Sequence, residues 1–166
     1  MFDNDIKMVG KHATYIKFLS KKSTELNKDF VSAEVFKRYI DVYIAGAIMG
    51  ILNNRKADID NSPNGDTANL LASQVIGEQS RLKFLYRLII LLHDSDMTND
   101  EKVDFAFRND TNQDVLKKGM DIFNSYARGG IELLYEKFTE GATTKDDYIE
   151  RISEIVAEFA DLYDIK

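Results

Sequence analysis

One proline in 166 residues, Pro63, is the feature that most narrows the folds open to this chain. Proline removes a backbone donor and clashes with the preceding helical turn, so nothing of that kind stops long helices on either side of position 63. The apolar residues use that freedom. Val35, Phe36, Tyr39, Ile40, Tyr43, Ala47 and Ile51 follow helical spacing, with Ser32 placed to cap the segment. A second helix is expected over 68–92, carried by Leu71, Val75, Leu82, Leu85, Ile89 and Leu92. Thr98 to Glu101 is a capping-box pattern, in which hydroxyl and carboxylate satisfy each other's backbone amides, and it opens a short helix with Val103, Phe105 and Phe107. A further helix runs from about Asn112 to Phe138 with Thr111 as its cap. The last, from about Lys145 to Tyr163, turns Tyr148, Ile152, Ile155, Val156, Phe159 and Leu162 inward. Thr14 to Leu19 adds an N-terminal helical segment. The expectation is therefore an all-α fold, a single domain over 1–166 built as a bundle of five or six helices. One long polar loop interrupts it at 53–66, with a Pro63-Asn64-Gly65 turn and room for a short β-hairpin around Ala57 to Ile59.

Composition excludes more than it assigns. No cysteine is present, which removes disulfide scaffolds, cysteine nucleophiles and thiolate metal sites. Only His12 and His93 could supply imidazole. The 28 acidic and 22 basic side chains leave a net charge of −6, the wrong sign for a dedicated nucleic-acid binder. The N-terminal segment lacks the apolar stretch and cleavage site of a signal peptide, and the apolar run from Tyr39 to Leu52 is too short to span a bilayer. A cytoplasmic protein away from membranes is expected. The charge is segregated, however. Residues 1–38 hold eight basic and five acidic side chains, whereas 132–166 hold four basic and ten acidic. The segregation reflects either ends that pack side by side or an acidic last helix offered to a basic partner.

Few groupings carry chemistry. Asp60, Ser62, Asn64 and Gly65 begin like a calcium loop, but the position for the closing glutamate holds Leu71, and no metal is expected. His93-Asp94 forms an HD dipeptide without the other ligands of a metal phosphohydrolase; an imidazolium there would meet the negative end of a helix dipole. Glu150, Glu154, Glu158 and Asp161 have the spacing of one half of a magnesium site, and equally of a solvated helix face. Arg87 and His93 are separated by five residues and fit the Arg-x4–6-His pattern of HEPN ribonucleases. There the arginine would stabilise phosphate charge and the histidine would move the 2′-hydroxyl proton. Phosphate loops and nucleophile elbows are missing, and no cofactor is expected.

Glycines are more informative. Gly46 and Gly50 lie four apart within an apolar helix, where each costs up to about 1 kcal/mol relative to alanine. Gly129 and Gly130 interrupt another helical stretch beside Arg128. Such positions allow close helix crossing or leave a smooth patch for a partner. Arg128, Gly129 and Gly130, with Arg55 and Lys56 of the loop, are the candidate binding residues.

The segment from Asp121 to Leu134, DIFNSYARGGIELL, resembles an "IFEEYANGGLEIL" type of segment. That segment occurs in small accessory proteins encoded beside bacterial DNA-phosphorothioation (Dnd) and related phage-defence genes. Tyr39 to Lys56 is similar to the apolar helix and short basic turn of the same proteins, and the two blocks occur in the same order, covering roughly 36–138. Arg128 departs from the asparagine of that pattern. The resemblance implies a non-catalytic accessory or adaptor subunit beside larger ATPase or nuclease subunits of the same defence system. Possible self-association and indirect contact with nucleic acid accompany it, and no catalytic residues transfer. Two alternatives stand beside it: a HEPN-like ribonuclease using Arg87 and His93, and a nucleic-acid-binding accessory protein using Lys11, Lys17, Lys21, Lys22 and Lys28.

Overall fold

The computed structural model describes residues 1–20, 35–108 and 112–162. In chain order these form β1 (Ile6–Val9), α1 (Lys11–Leu19), α2 (Tyr39–Leu52), β2 (Thr67–Leu70), α3 (Ala72–Gly77), α4 (Gln79–Leu92), α5 (Asn99–Phe107), α6 (Gln113–Thr139) and α7 (Lys145–Leu162). The fold is mostly helical. It departs from a purely all-α bundle of five or six helices by a small antiparallel sheet and by seven helices among the described residues.

The sheet is where helical spacing misleads. Thr67–Leu70 alternates exposed and buried, and pairs with β1 in the register Ile6 to Leu70 and Met8 to Ala68. Ala68 and Leu70 were expected within a helix, but an alternating pattern of four residues fits either period until its partner strand is known. The same stretch breaks again at Glu78, which closes α3 and opens α4. No hairpin forms at Ala57 to Ile59. α2 begins at Tyr39 rather than near Val35, because Phe36 is extended and its amide donates to the Leu19 carbonyl at 3.0 Å. The Ser32 and Thr111 caps lie outside the described residues. Asn112 takes the capping role for α6, its side-chain oxygen accepting from the Asp114 and Val115 amides at 3.1 and 3.3 Å. The capping box of α5 forms as expected, with the Thr98 amide donating to Glu101 at 2.7 Å.

The core is organised by the crossing of α2 and α6. A Cβ on Gly130 would overlap the Gly46 carbonyl oxygen, and one on Gly50 would overlap the Tyr126 carbonyl oxygen. One on Gly46 would lie 2.7 Å from the Ile131 side chain and 2.8 Å from the Ala127 carbonyl. The two helices thus touch backbone to backbone, and α6 runs unbroken through Gly129-Gly130. Around this seam, Phe123 of α6 is fully buried and meets Phe2, Tyr43 and Tyr86 through edge-on or tilted ring contacts with centroids 5.5–6.4 Å apart. The buried Tyr43 hydroxyl donates to Asn124 at 2.5 Å.

α1 depends on distant sequence for its start. Its first turn is entered from Gly10 at φ 63°, a backbone conformation that suits glycine. The orphan Lys11 amide donates to Asp60 Oδ2 at 2.7 Å, a cap reached from the polar loop. α7 packs through Tyr148, Ile152 and Ile155. Val156, Phe159 and Leu162, expected inward, are instead exposed. No helix among the described residues is long and apolar enough to cross a membrane.

The glycine seam yields a paired prediction. Gly130→Ala forces a methyl group onto a backbone carbonyl that has no side-chain freedom to yield, and is expected to destabilise the fold by at least about 3 kcal/mol. Gly77→Ala meets nothing within 4 Å and is expected to be neutral or to stabilise by up to about 1 kcal/mol. Urea unfolding midpoints of the two variants distinguish the cases; equal effects would refute a backbone-contact seam.

Candidate functional site

Two polar constellations are built around α6. The first joins α1, the polar loop and the second half of α6. His12 is fully buried, and its Nε2 lies 2.9 Å from Glu132 Oε1. Lys11 Nζ approaches the same oxygen at 2.8 Å, and Arg55 Nη2 lies 3.4 Å from Oε2. Arg55 also grips Glu136 with both terminal nitrogens, a two-toothed guanidinium–carboxylate pair. Arg128 Nε donates to the Ala57 carbonyl at 2.9 Å, and the Ala57 amide donates to Ser125 O at 2.9 Å.

Burial sets the protonation here. Desolvation lowers the pKa of His12 below the ordinary histidine value, although Glu132 pulls the other way. Burial likewise lowers that of Arg128. Glu132 is raised by burial, but its hydrogen bonds to Lys11 and His12 outweigh this and leave it below the usual glutamate value. His12 is therefore neutral at pH 7, with Nε2–H donating to a charged carboxylate. Its Nδ1 is then a buried acceptor without a hydrogen-bond partner. The arrangement is an internal tie that holds α1 and the loop against α6.

The second constellation sits at the end of α4. His93 Nδ1 lies 3.2 Å from the hydroxyl of buried Tyr126, which also contacts Asn54 Oδ1 at 3.2 Å. Lys56 Nζ stands 5.2 Å from the Tyr126 ring centroid. His93 does not carry the charge expected of it at a helix C-terminus. Burial, then Lys56 and Lys102, lower its pKa, and Lys102 Nζ donates to the His93 carbonyl at 2.7 Å in its stead.

The expected binding residues are thereby placed, and the smooth-patch alternative is corrected. Gly129 and Gly130 are buried in the fold: a Cβ on Gly129 would overlap the Arg55 carbonyl, as one on Gly130 would the Gly46 carbonyl. Arg55 and Arg128 spend their hydrogen bonds fastening the loop to α6, and Lys56 alone of the five is exposed, beside Tyr126. Arg87 and His93 engage different elements, Arg87 over the Phe107 ring at 4.9 Å and His93 against Tyr126. Of the N-terminal lysines, Lys11 pairs with Glu132 and Lys17 with Asp66, while Lys21, Lys22 and Lys28 lie outside the described residues.

Asp60, the first residue of the calcium-like loop, accepts from Ser62 and from the Lys11 amide. These bonds, that of the Ser62 hydroxyl first, hold its carboxyl at about 2. Among the described residues no three His, Asp or Glu side chains are grouped so as to hold a metal ion. The His12–Glu132 pair had no local signal in the sequence, since its members are 120 positions apart.

The pair makes a pH prediction. A histidine whose folded pKa lies below its unfolded value contributes stability that is complete above the unfolded pKa, about 6.5, and is lost as pH falls below it. His12 should titrate below the ordinary value by imidazole NMR, and Glu132→Gln should lower it further by removing the partner that favours the cation. A rise in that variant would contradict the assignment.

Compared with protein-family models, curated proteins and solved structures, the chain matches none, so the function is argued from its own residues.

Proposed function

We propose that this chain is a non-catalytic accessory subunit of a bacterial anti-phage defence system, working by protein–protein contact alongside larger ATPase or nuclease subunits. The observation that carries the reading is the placement of large apolar side chains on the outside of well-anchored helices. Ile149 and Val156 of α7 are 55% and 62% exposed, and Phe84 and Leu92 of α4 are 64% and 59% exposed. Apolar side chains recurring along a helix face, rimmed by charge, are characteristic of contact surfaces. The polar residues that drew attention in the sequence support the same reading. Arg55, Arg128 and Glu132 are engaged in holding the fold together. The sequence resemblance to Dnd-associated accessory proteins supplies the choice of system.

Affinity purification from the native host, followed by identification of the bound proteins, tests this. Products of neighbouring defence genes are expected with the wild type. Their yield should fall at least about tenfold with Val156→Asp or Phe84→Asp, since a charge on an apolar contact costs well over 1.4 kcal/mol. Recovery of the chain without any defence-gene product would count decisively against the reading.

One observation favours a second reading, the HEPN-like ribonuclease using Arg87 and His93, and it concerns His93, since Arg87 stands over the Phe107 ring. His93 is half-exposed at a helix end, its ring contacts Tyr126, and burial, then Lys56 and Lys102, lower its pKa. An oriented, neutral imidazole in positive surroundings suits proton abstraction near a phosphate. On this reading, RNA cleavage by the purified protein should be abolished by His93→Ala and weakened by Tyr126→Phe. Absence of cleavage by the wild type on single-stranded RNA ends it.

A further inference from the structure

The β1–β2 ribbon leaves the outer edge of β2 bare, and that edge opens onto a groove. The Gly10 amide donates to the Asp66 carbonyl at 2.9 Å, and the Ala72 amide to Asp5 at 2.6 Å, so the even-numbered residues here turn their backbone groups toward β1. Backbone groups alternate along a strand, and Thr67, Asn69 and Leu71 therefore turn theirs away from it. The Thr67 amide is taken by the adjacent Asp66 carboxylate at 2.8 Å. The Thr67 carbonyl, both groups of Asn69 and the Leu71 amide have no hydrogen-bond partner among the described residues. Leu71 continues the strand in extended form, at φ −65° and ψ 140°, before its carbonyl opens α3. Bare edges are commonly guarded by charge, whereas Thr67 to Leu71 carries none. A groove of about 430 Å³ is lined by Thr67, Asn69 and Leu71 and, from the start of α2, by Lys37, Arg38 and Tyr39. None of its lining residues belongs to β1.

We propose that an extended peptide segment of another protein adds to this edge as a third strand, lying in the groove between β2 and the start of α2. Alongside Thr67 to Leu71 it runs about 13 Å and satisfies the Thr67 carbonyl, the Asn69 amide and carbonyl, and the Leu71 amide. Its side chains opposite Ala68 and Leu70 turn to the face on which those residues are buried, and small or apolar ones are favoured there. Those opposite Thr67 and Asn69 face water. Lys37 is exposed and has no ion-pair partner among the described residues, so it can meet one carboxylate of the peptide. Arg38 and Lys17 add little, because Arg38 already holds Asp41 and Glu78, and Lys17 holds Asp66. With a wall on the α2 side, the slot suits a slender segment. The β2 edge of a second copy would bring its own Lys37 wall along with it. This surface is separate from the outward apolar residues of α4 and α7.

The backbone at position 71 provides the test in the full chain. Its φ already matches the proline ring and the residue before it is in a strand, so Leu71→Pro keeps the fold while deleting the edge donor. Leu71→Ala is the companion variant, which loses the same side chain but keeps the amide. The probe is a phage-displayed library of random dodecapeptides selected on the wild type. A selected peptide is then synthesised plain and with either alternate set of its amides N-methylated. The plain peptide should slow amide exchange at Asn69 and Leu71 at least about tenfold by NMR. Its affinity should fall at least about tenfold for Leu71→Pro and stay within about threefold for Leu71→Ala. Methylation of one alternate set should abolish binding and that of the other should be tolerated, the signature of a strand bonded along one edge. Selection on Lys37→Glu should exchange an acidic position of the peptides for a basic one. Recovery of no peptide, or equal binding to Leu71→Pro, overturns the inference. So do Asn69 and Leu71 amides already protected in the free wild type: at every concentration, the chain covers its own edge, and at high concentration only, a second copy does. None of these results bears on the accessory-subunit reading, which stands or falls on the native-host purification.

Discussion

The contact on which the rest of the structure depends is the backbone-to-backbone crossing of α2 and α6. Gly46, Gly50 and Gly130 remove the side chains that would hold the helices apart, so main-chain atoms of the two helices pack directly. Closeness at that point fixes everything tied to the two helices. The chain leaving α2 turns at Asn54, and Arg55 falls beside Gly129, where only a glycine leaves room for its carbonyl. From there Arg55 reaches Glu136, Arg128 reaches Ala57, and the loop is laid along α6. The loop in turn delivers Asp60 to the start of α1. A helix crossing thus determines where a loop lies, and the loop determines where the first helix begins.

What was legible in the sequence follows the range of the forces involved. The capping box at Thr98–Glu101 and the long amphipathic repeat of α6 are local, spanning a few residues or a few turns, and both are present. The glycine spacing correctly marked a place where helices come close. It did not say whether the neighbour would be another molecule or the same chain, because a smooth strip looks alike in both cases. The sheet was missed because Thr67–Leu70 acquires its meaning from Ile6–Val9, some sixty residues earlier. The inward face assigned to α7 was half right. Tyr148, Ile152 and Ile155 pack, whereas Val156, Phe159 and Leu162 remain outside. Periodicity reports that a helix has an apolar side; it does not report how far the covering surface extends.

The electrostatics divide into buried ties and surface bias. Glu132 gathers Lys11, His12 and Arg55 from two other parts of the chain. Leaving that carboxylate without its partners would cost several kcal/mol, while the pairs themselves add less, since each charge had to be taken partly out of water. Their value is in specifying one arrangement of α1, loop and α6 over others. The surface bias is different in kind. Exposed charges on α4 and α7 contribute little to folding, are screened by salt, and act chiefly on which surfaces can approach one another.

The cap that Asp60 places on α1, together with the Glu132 anchor, has a consequence for biosynthesis. The first helix is completed by a residue 49 positions downstream and secured by one 120 positions downstream. At ~5–20 residues per second, roughly 6–24 s separate the emergence of His12 from that of its partner. The cap and the strand mate follow the N-terminal segment by about 50–60 residues, but Tyr135, against which Phe18 packs, emerges only after Glu132. The beginning of this chain is therefore among the last parts to acquire structure on the ribosome, and its apolar residues are the ones that a nascent-chain chaperone would meet.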